Sequence, residues 1–110
     1  MICKAEIEAG ICGFRTTVRA QSEDAQHVAF EVVTDCENIL RFASKLSTFG
    51  SIDAFEEINP VKGSRLLEAA RSSMSGCCAG CAVPVGVFKA MQVAAGLALP
   101  KDVHIVVTAE

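Results

Sequence analysis

The feature that most constrains the fold is an alternation of apolar and polar side chains that recurs three times before residue 34. The stretches 2–7, 14–20 and 27–33 each place every second side chain on one face, and short polar or glycine-containing breaks separate them. A period of two is what a half-buried strand requires. Strand-like runs joined by short breaks are typical of antiparallel pairs. The first third of the chain therefore predicts three antiparallel strands.

The pattern then changes to a helical period. Thr34 and Glu37 have the spacing of a capping box, in which the hydroxyl and the carboxylate satisfy free amides at a helix start. Apolar residues recur at helical spacing as far as Gly50, which favours a helix end. We therefore expect a helix of roughly three turns that begins around Cys36.

Three further elements and a final strand are predicted downstream. Residues 52–58 fit one or two helical turns, and residues 64–73 fit a helix. Pro84 suits the first turn of another helix, which continues to about Ala95. The apolar, β-branched run 103–108 predicts an interior strand that closes the sheet.

Size and composition limit the class of protein. A chain of 110 residues can bury one core, and 51% hydrophobic with 21% charged residues is the balance of a globular protein. Strands followed by helices favour the α+β class. We expect residues 1–110 to form one domain, an antiparallel sheet of about four strands with helices packed on one face.

Composition also argues against several partners and locations. The chain has neither Trp nor Tyr and a net charge of -3, so it has neither a stacking platform nor a basic surface for nucleic acid. The first six residues include the charges of Lys4 and Glu6, and the start of the chain has no apolar h-region, which argues against a secretory signal. The longest apolar run, 77–88, is too short to span a bilayer. We expect a cytoplasmic protein that binds neither nucleic acid nor membrane, with any protein partner unknown.

The chemistry of the chain is concentrated in its sulfur atoms. Residues 76–84 read GCCAGCAVP, and this stretch contains a C-x-x-C pair. In a reducing cytoplasm, thiols at this density are more often metal ligands or catalytic groups than disulfides. All cysteines except the first fall at predicted element ends, where side chains from different loops can converge. The six are Cys3, Cys12, Cys36, Cys77, Cys78 and Cys81.

The leading hypothesis is a metal site with four thiolate ligands. The C-x-x-C pair Cys78 and Cys81 has the spacing that grips one ion, and Cys12 and Cys36 would complete the tetrahedron. Cys77 is a reserve ligand that could replace one of them. Zinc and iron–sulfur clusters both accept four cysteines, so sulfur alone does not choose between them.

Two alternatives stay open, and with them the question of whether the protein is an enzyme. A C-x-x-C pair ahead of a helix also suits a thiol–disulfide oxidoreductase, in which Cys78 or Cys81 is the nucleophile. The third possibility is a binding module whose cysteines are incidental. The sequence contains no Ser-His-Asp set, phosphate loop or dinucleotide motif.

Two short motifs resemble a known family. The stretch 34–39, TDCENI, lies between a predicted strand and a predicted helix, and Cys81-Ala82-Val83-Pro84 leads into another helix. In placement these are similar to the turns of the small TSCPD domain appended to some ribonucleotide reductases. The resemblance implies a small α+β domain with a cysteine-ligated metal, plausibly zinc, held by Cys36 and Cys81. The pattern also resembles stand-alone proteins of unknown function from anaerobic prokaryotes.

Overall fold

The computed structural model describes all 110 residues and contains four strands and four α-helices. A single 3-10 helix precedes the last α-helix. In chain order the elements are β1 (Ile2–Glu8), β2 (Arg15–Gln21), β3 (His27–Val33), α1 (Glu37–Thr48), β4 (Ile52–Asp53), α2 (Ala54–Glu57), α3 (Arg65–Ser73), the 3-10 helix (Gly76–Gly80) and α4 (Val83–Ala94).

The strands form one antiparallel sheet in the order β1-β2-β3-β4. The β1–β2 ladder is complete, from Ile2 opposite Gln21 to Glu8 opposite Arg15. The fourth strand has only two residues and pairs with the start of β3. The predicted α+β class with a four-stranded antiparallel sheet is therefore confirmed, as are the three strands expected from alternation.

Alternation along the strands produces the buried face of the sheet. Thr16, Val18 and Ala20 of β2 are buried, whereas Arg15 and Arg19 are exposed. The buried face is covered mainly by α4, which packs against β1 and β2. The face that carries the odd-numbered apolar residues of β1 is thus turned toward the helices, as a half-buried sheet requires.

Helix α4 approaches the sheet unusually closely at Gly86. A Cβ atom at this position would lie 2.5 Å from Cδ1 of Ile7, which is shorter than real carbon contacts. Only glycine lets the helix backbone come this near to β1. The contact fixes the first turns of α4 beside the C-terminal end of β1. The predicted place of Pro84 in the first turn is confirmed.

The other helices form a second group beside α4. Ile39, Phe42 and Leu46 are the buried stripe of α1, which packs chiefly against α3. The start of α3 is held by the buried carboxylate of Glu57, which accepts hydrogen bonds from the Arg65 amide at 2.9 Å and from the Ser64 hydroxyl. An internal carboxylate therefore occupies the anion-binding end of this helix.

The predicted capping box is wrong. The helix begins where it was expected, but its N-cap is Cys36 rather than Thr34, and the Cys36 side chain makes no capping hydrogen bond. The Thr34 hydroxyl instead accepts hydrogen bonds from the Thr16 hydroxyl at 2.9 Å and from the Cys36 amide at 3.2 Å. The Thr34 hydroxyl therefore bonds to Thr16 of β2, which is distant in sequence, and to the nearby Cys36 amide, and it does not cap the helix as the local spacing predicted.

The predicted final strand is also wrong for this chain. Residues 99–110 form no regular structure, and residues 98–110 are exposed. They make no backbone hydrogen bond to the sheet. The β-branched run favours an extended backbone, but a strand needs a free edge within reach, and composition does not specify one.

One segment, Gly76–Ala94, is long and apolar enough to cross a membrane when judged by length and composition. Within the fold it divides into the 3-10 helix and α4, with a break at Cys81 and Ala82. Seven of the twelve residues of α4 are buried. Core helices pass the same test, so this segment is weak evidence for a membrane role.

Candidate thiol site

Antiparallel pairing brings three connections to the same end of the sheet. Because Glu8 lies opposite Arg15, the β1–β2 turn emerges at the end where β3 leads into α1. The contact between Gly86 and Ile7 brings the start of α4 to this end as well. We call it the thiol end, comprising residues 9–14, 34–36 and 76–82, because it contains every cysteine except Cys3.

Cys36 is held between β3 and α1. It is half-buried, packs against the hydrophobic core and occupies the N-cap position of α1 in an extended conformation. Its carbonyl accepts the Leu40 amide at 2.9 Å, and its own amide donates to the Thr34 hydroxyl. Backbone hydrogen bonds on both sides therefore fix the position of this thiol.

Cys77, Cys78 and Cys81 lie on or just after the 3-10 helix. The amide of Cys81 donates to the carbonyl of Cys78 at 3.1 Å, which closes one turn. Residues three apart in a 3-10 helix point to the same side. Accordingly Cys78 and Cys81 are both half-buried against the core, whereas Cys77 is exposed.

An amide side chain joins the two cysteine-bearing segments. Nδ2 of Asn38 donates to Sγ of Cys78 at 3.2 Å, and the Arg41 guanidinium donates to the Asn38 side-chain oxygen. Asn38 stands in the first turn of α1, two residues after Cys36. Sequence reasoning missed it, although a polar residue that closely follows a candidate ligand was the available signal. The contact ties the 3-10 helix to α1.

The pKa of the Cys78 thiol is raised by its surroundings. Desolvation raises the pKa of the Cys78 thiol, the Asn38 hydrogen bond lowers it, and the negative charges of Cys77 and Cys36 raise it again. The Asn38 hydrogen bond places the Cys78 sulfur beside the first turn of α1, close to the segment that carries Cys36. A negative charge on Cys77 or Cys36 therefore disfavours the thiolate form of Cys78.

The thiol end is not a preassembled metal centre. All six cysteines are free thiols, and no three His, Cys, Asp or Glu side chains are arranged to hold an ion. Cys12 is exposed in the β1–β2 turn, where the amide of Gly13 donates to the carbonyl of Gly10. The four-ligand set of Cys12, Cys36, Cys78 and Cys81, with Cys77 in reserve, stays a prediction.

Cys3 is separate from this group. It lies on β1 opposite Ala20, near the other end of the strand, and is half-buried against the core. Burial raises the pKa of its thiol. The interpretation of Cys3 as a packed strand residue agrees with this position.

Comparison with known proteins gives one match. The model of a family of unknown function, DUF6951, matches residues 3–107. No curated protein and no solved structure matches the chain. The match covers nearly the whole length, and the resemblances to TSCPD domains and to proteins of anaerobes remain expectations.

Proposed function

Since the chain belongs to the DUF6951 family, whose function is unknown, we propose from the site alone that the protein binds a metal through cysteine thiolates at its thiol end. The ligands are Cys36, Cys78, Cys81 and Cys12, with Cys77 able to replace one of them. Zinc and an iron–sulfur cluster are the groups that four thiolates suit. We expect the site to act in the cytoplasm.

The observation that carries the proposal is the hydrogen bond from Asn38 Nδ2 to the Cys78 sulfur at 3.2 Å, which joins the 3-10 helix to the first turn of α1, directly after Cys36. Thiolates that repel one another gain from a shared cation, and a bound cation deprotonates its thiol ligands outright. The Asn38 amide supports the arrangement, because ligand sulfurs in metal sites are commonly oriented by neighbouring donors.

Metal binding requires local rearrangement, and the thiol end permits it. A metal site rarely exists in an unfolded chain, so metal binding is coupled to the ordering of its ligands. Cys12 lies in a turn flanked by Gly10 and Gly13, both with positive φ, and the turn is exposed. Movement of this turn toward the half-buried pair Cys78 and Cys81 would supply a distal ligand without disturbing the sheet.

The oxidoreductase alternative is weaker on the same evidence. A nucleophilic thiol needs a lowered pKa, and the balance of contacts at Cys78 raises it. A half-buried thiol with a raised pKa is a slow nucleophile but an adequate ligand, because the metal itself displaces the proton. No observation in the structure favours Cys81 as a lone nucleophile.

The test is metal content after anaerobic purification. We expect about one zinc per chain, or iron and sulfide with a broad visible absorption band, measured by mass spectrometry of the elements and by absorption. Cys36→Ser and Cys81→Ser should each remove most of the metal. Cys3→Ser is the matched control, since this half-buried thiol lies away from the thiol end, and it should retain full occupancy.

Two results would overturn the proposal. One is wild-type protein that stays metal-free and fails to take up zinc or iron when these are added under anaerobic conditions. The other is equal metal loss in the Cys3→Ser control and in the two site variants. Circular dichroism of each variant separates ligand loss from unfolding.

A further inference from the structure

The cysteines of residues 76–82 differ in their exposure. Cys78 and Cys81 lie half-buried against the hydrophobic core, whereas Cys77 is exposed. Because a 3-10 helix turns by about 120° per residue, neighbouring side chains leave it in different directions. The segment therefore has an inner pair of thiols, Cys78 and Cys81, and one outer thiol, Cys77.

The inner pair is enclosed on its core side. Nδ2 of Asn38 donates to Sγ of Cys78 at 3.2 Å. Cys81 leads directly into α4, whose first residues Val83 and Pro84 are buried. A close-packed core has no room for an incoming ligand, so an ion bound by the inner pair has to arrive and leave on the solvent side.

The solvent side of the 3-10 helix is open. Apart from Cys78, residues 76–80 are exposed. A Cβ atom at Gly76 or Gly80 would meet nothing within 4 Å beyond its chain neighbours. The residues around Cys77 are thus small, which leaves space for an ion that is still bound to a carrier molecule.

Cys77 is also tethered to the inner pair. It directly precedes Cys78, and consecutive Cα atoms are about 3.8 Å apart. The effective concentration of a tethered group depends on the length of its tether, and this tether is a single peptide bond. The outer thiol is therefore always near an ion bound at Cys78.

We propose that Cys77 is an exchange ligand, which binds the incoming ion first, transfers it to Cys78 and Cys81, and binds it again as it leaves. The inference rests on the proposed metal binding and deepens it, because it separates the thiol that moves the ion from those that retain it. The carrier is a small thiol such as glutathione, since zinc accepts thiolate ligands and a reducing cytoplasm keeps thiols available.

The transfer is a ligand exchange in which no electron moves. A bond forms from the Cys77 sulfur to the ion as the bond from the ion to the carrier sulfur breaks, and the Cys77 proton passes to the released carrier thiolate. The ion then bonds to the Cys78 sulfur as its bond to Cys77 breaks, and the Cys78 proton passes to Cys77. Zinc accommodates an additional ligand during such steps.

The first test is alkylation of the zinc-loaded protein with iodoacetamide, located by peptide mass spectrometry. We expect Cys77 to be alkylated at nearly the rate of the metal-free protein while the zinc stays bound. Cys78 and Cys81 should be protected by the ion. Cys3 is the control, because it lies away from the site and should react at the same rate with and without zinc.

The second test measures transfer rates and affinity separately. Cys77→Ser should slow zinc uptake from its glutathione complex, and release to excess glutathione, by about tenfold, because the tethered thiol is lost. The dissociation constant of zinc should stay unchanged, since both directions slow equally. Rapid gel filtration with elemental analysis gives the rates. Cys77→His restores a zinc ligand and should recover part of the rate.

Two variants complete the comparison. Ala79→Ser introduces a hydroxyl at another exposed position of the 3-10 helix and should keep the wild-type rates. Cys81→Ser removes a retaining ligand, so it should weaken zinc binding instead of slowing transfer at constant affinity. The two classes of thiol thus have different kinetic signatures.

The outcomes separate this inference from the proposed function. Wild-type protein that binds no zinc or iron overturns both. Zinc-loaded protein in which Cys77 is as protected as Cys78 overturns only the exchange role, because Cys77 is then a retaining ligand. Unchanged transfer rates in Cys77→Ser, or a weakened affinity for zinc in that variant, also overturn the exchange role alone.

Discussion

At the scale of single residues, hydroxyl and carboxylate groups make hydrogen bonds within turns and between elements that sequence spacing alone does not identify. The hydroxyl of Thr34 joins β2 to the start of α1 instead of capping the helix. The carboxylate of Asp24 organises the turn before β3, where it accepts the amides of Gln26 at 2.9 Å and His27 at 2.7 Å. Each of these polar groups has several possible partners along the chain, and the tertiary fold determines which of them it bonds to.

The pair of Asp24 and His27 should make stability depend on pH. The ring Nδ1 of His27 lies 2.7 Å from Asp24, and this hydrogen bond raises the pKa of the histidine above its ordinary value. Asp53 faces the other ring nitrogen at 4.0 Å. A raised pKa in the folded state contributes stability that is fully present below about pH 6.5 and is lost as pH rises through the folded value.

We therefore expect Asp24→Asn to lower the pKa of His27 toward 6.5, because the amide keeps an oxygen acceptor but loses the charge. Titration of the ring proton signals by nuclear magnetic resonance measures it. Asp35→Asn removes a charge at another exposed position and is the control. If His27 titrates identically in wild type and Asp24→Asn, the carboxylate does not cause the shift.

At the scale of elements, periodicity predicted most of the fold because most elements bury one face. The alternation of β1, β2 and β3 and the helical stripe of α1 are direct records of that burial. The sequence analysis did not predict β4, because a strand of two residues is too short to show an alternating pattern. Residues 101–110 differ from the prediction for the opposite reason: they have strand-forming composition but pair with no strand, because composition does not specify a pairing edge.

The contact between α4 and β1 gives a prediction about packing. Gly86→Ala places a Cβ against Cδ1 and Cγ1 of Ile7, and we expect a loss of about 1 to 3 kcal/mol, partly offset by the helix preference of alanine. Urea unfolding measures it. Gly80→Ala is the control, because the space around Gly80 is open.

The same contact can be isolated by a double-mutant cycle. In the background of Ile7→Ala the side-chain atoms that meet the new methyl group are absent, so Gly86→Ala should no longer be destabilising. An undiminished penalty in that background would show that the cost arises elsewhere.

At the scale of the whole molecule, the candidate site is only partly readable from sequence. Placing cysteines at element ends predicted that loops could converge. Antiparallel pairing brings Cys12 and Cys36 to one end of the sheet, and the contact of Gly86 with Ile7 brings the 3-10 helix there as well. Which sulfur turns inward depends on the 3-10 geometry and on Asn38, and neither has a periodic signal. The arrangement of four ligands is therefore still a prediction.

If the proposed metal binds, it should stabilise the entire fold. A ligand that binds only the folded state adds about 2.7 kcal/mol at one hundred times its dissociation constant. We expect zinc, or anaerobic iron reconstitution, to raise the unfolding temperature, and a chelator to reverse it. Cys36→Ser should show no such rise, whereas Cys3→Ser should behave as wild type. A rise of equal size in Cys36→Ser would mean that the ion acts elsewhere.

The close seat of α4 on β1 reaches beyond packing. Because the backbone at Gly86 rests on Ile7, the turn that carries Cys81 is anchored to the apolar interior within a few residues. A substitution deep in the core that lifts this helix by a fraction of an ångström would displace a sulfur without altering any cysteine. The same contact between Gly86 and Ile7 therefore affects both how well the core tolerates substitutions and where the Cys81 thiol lies.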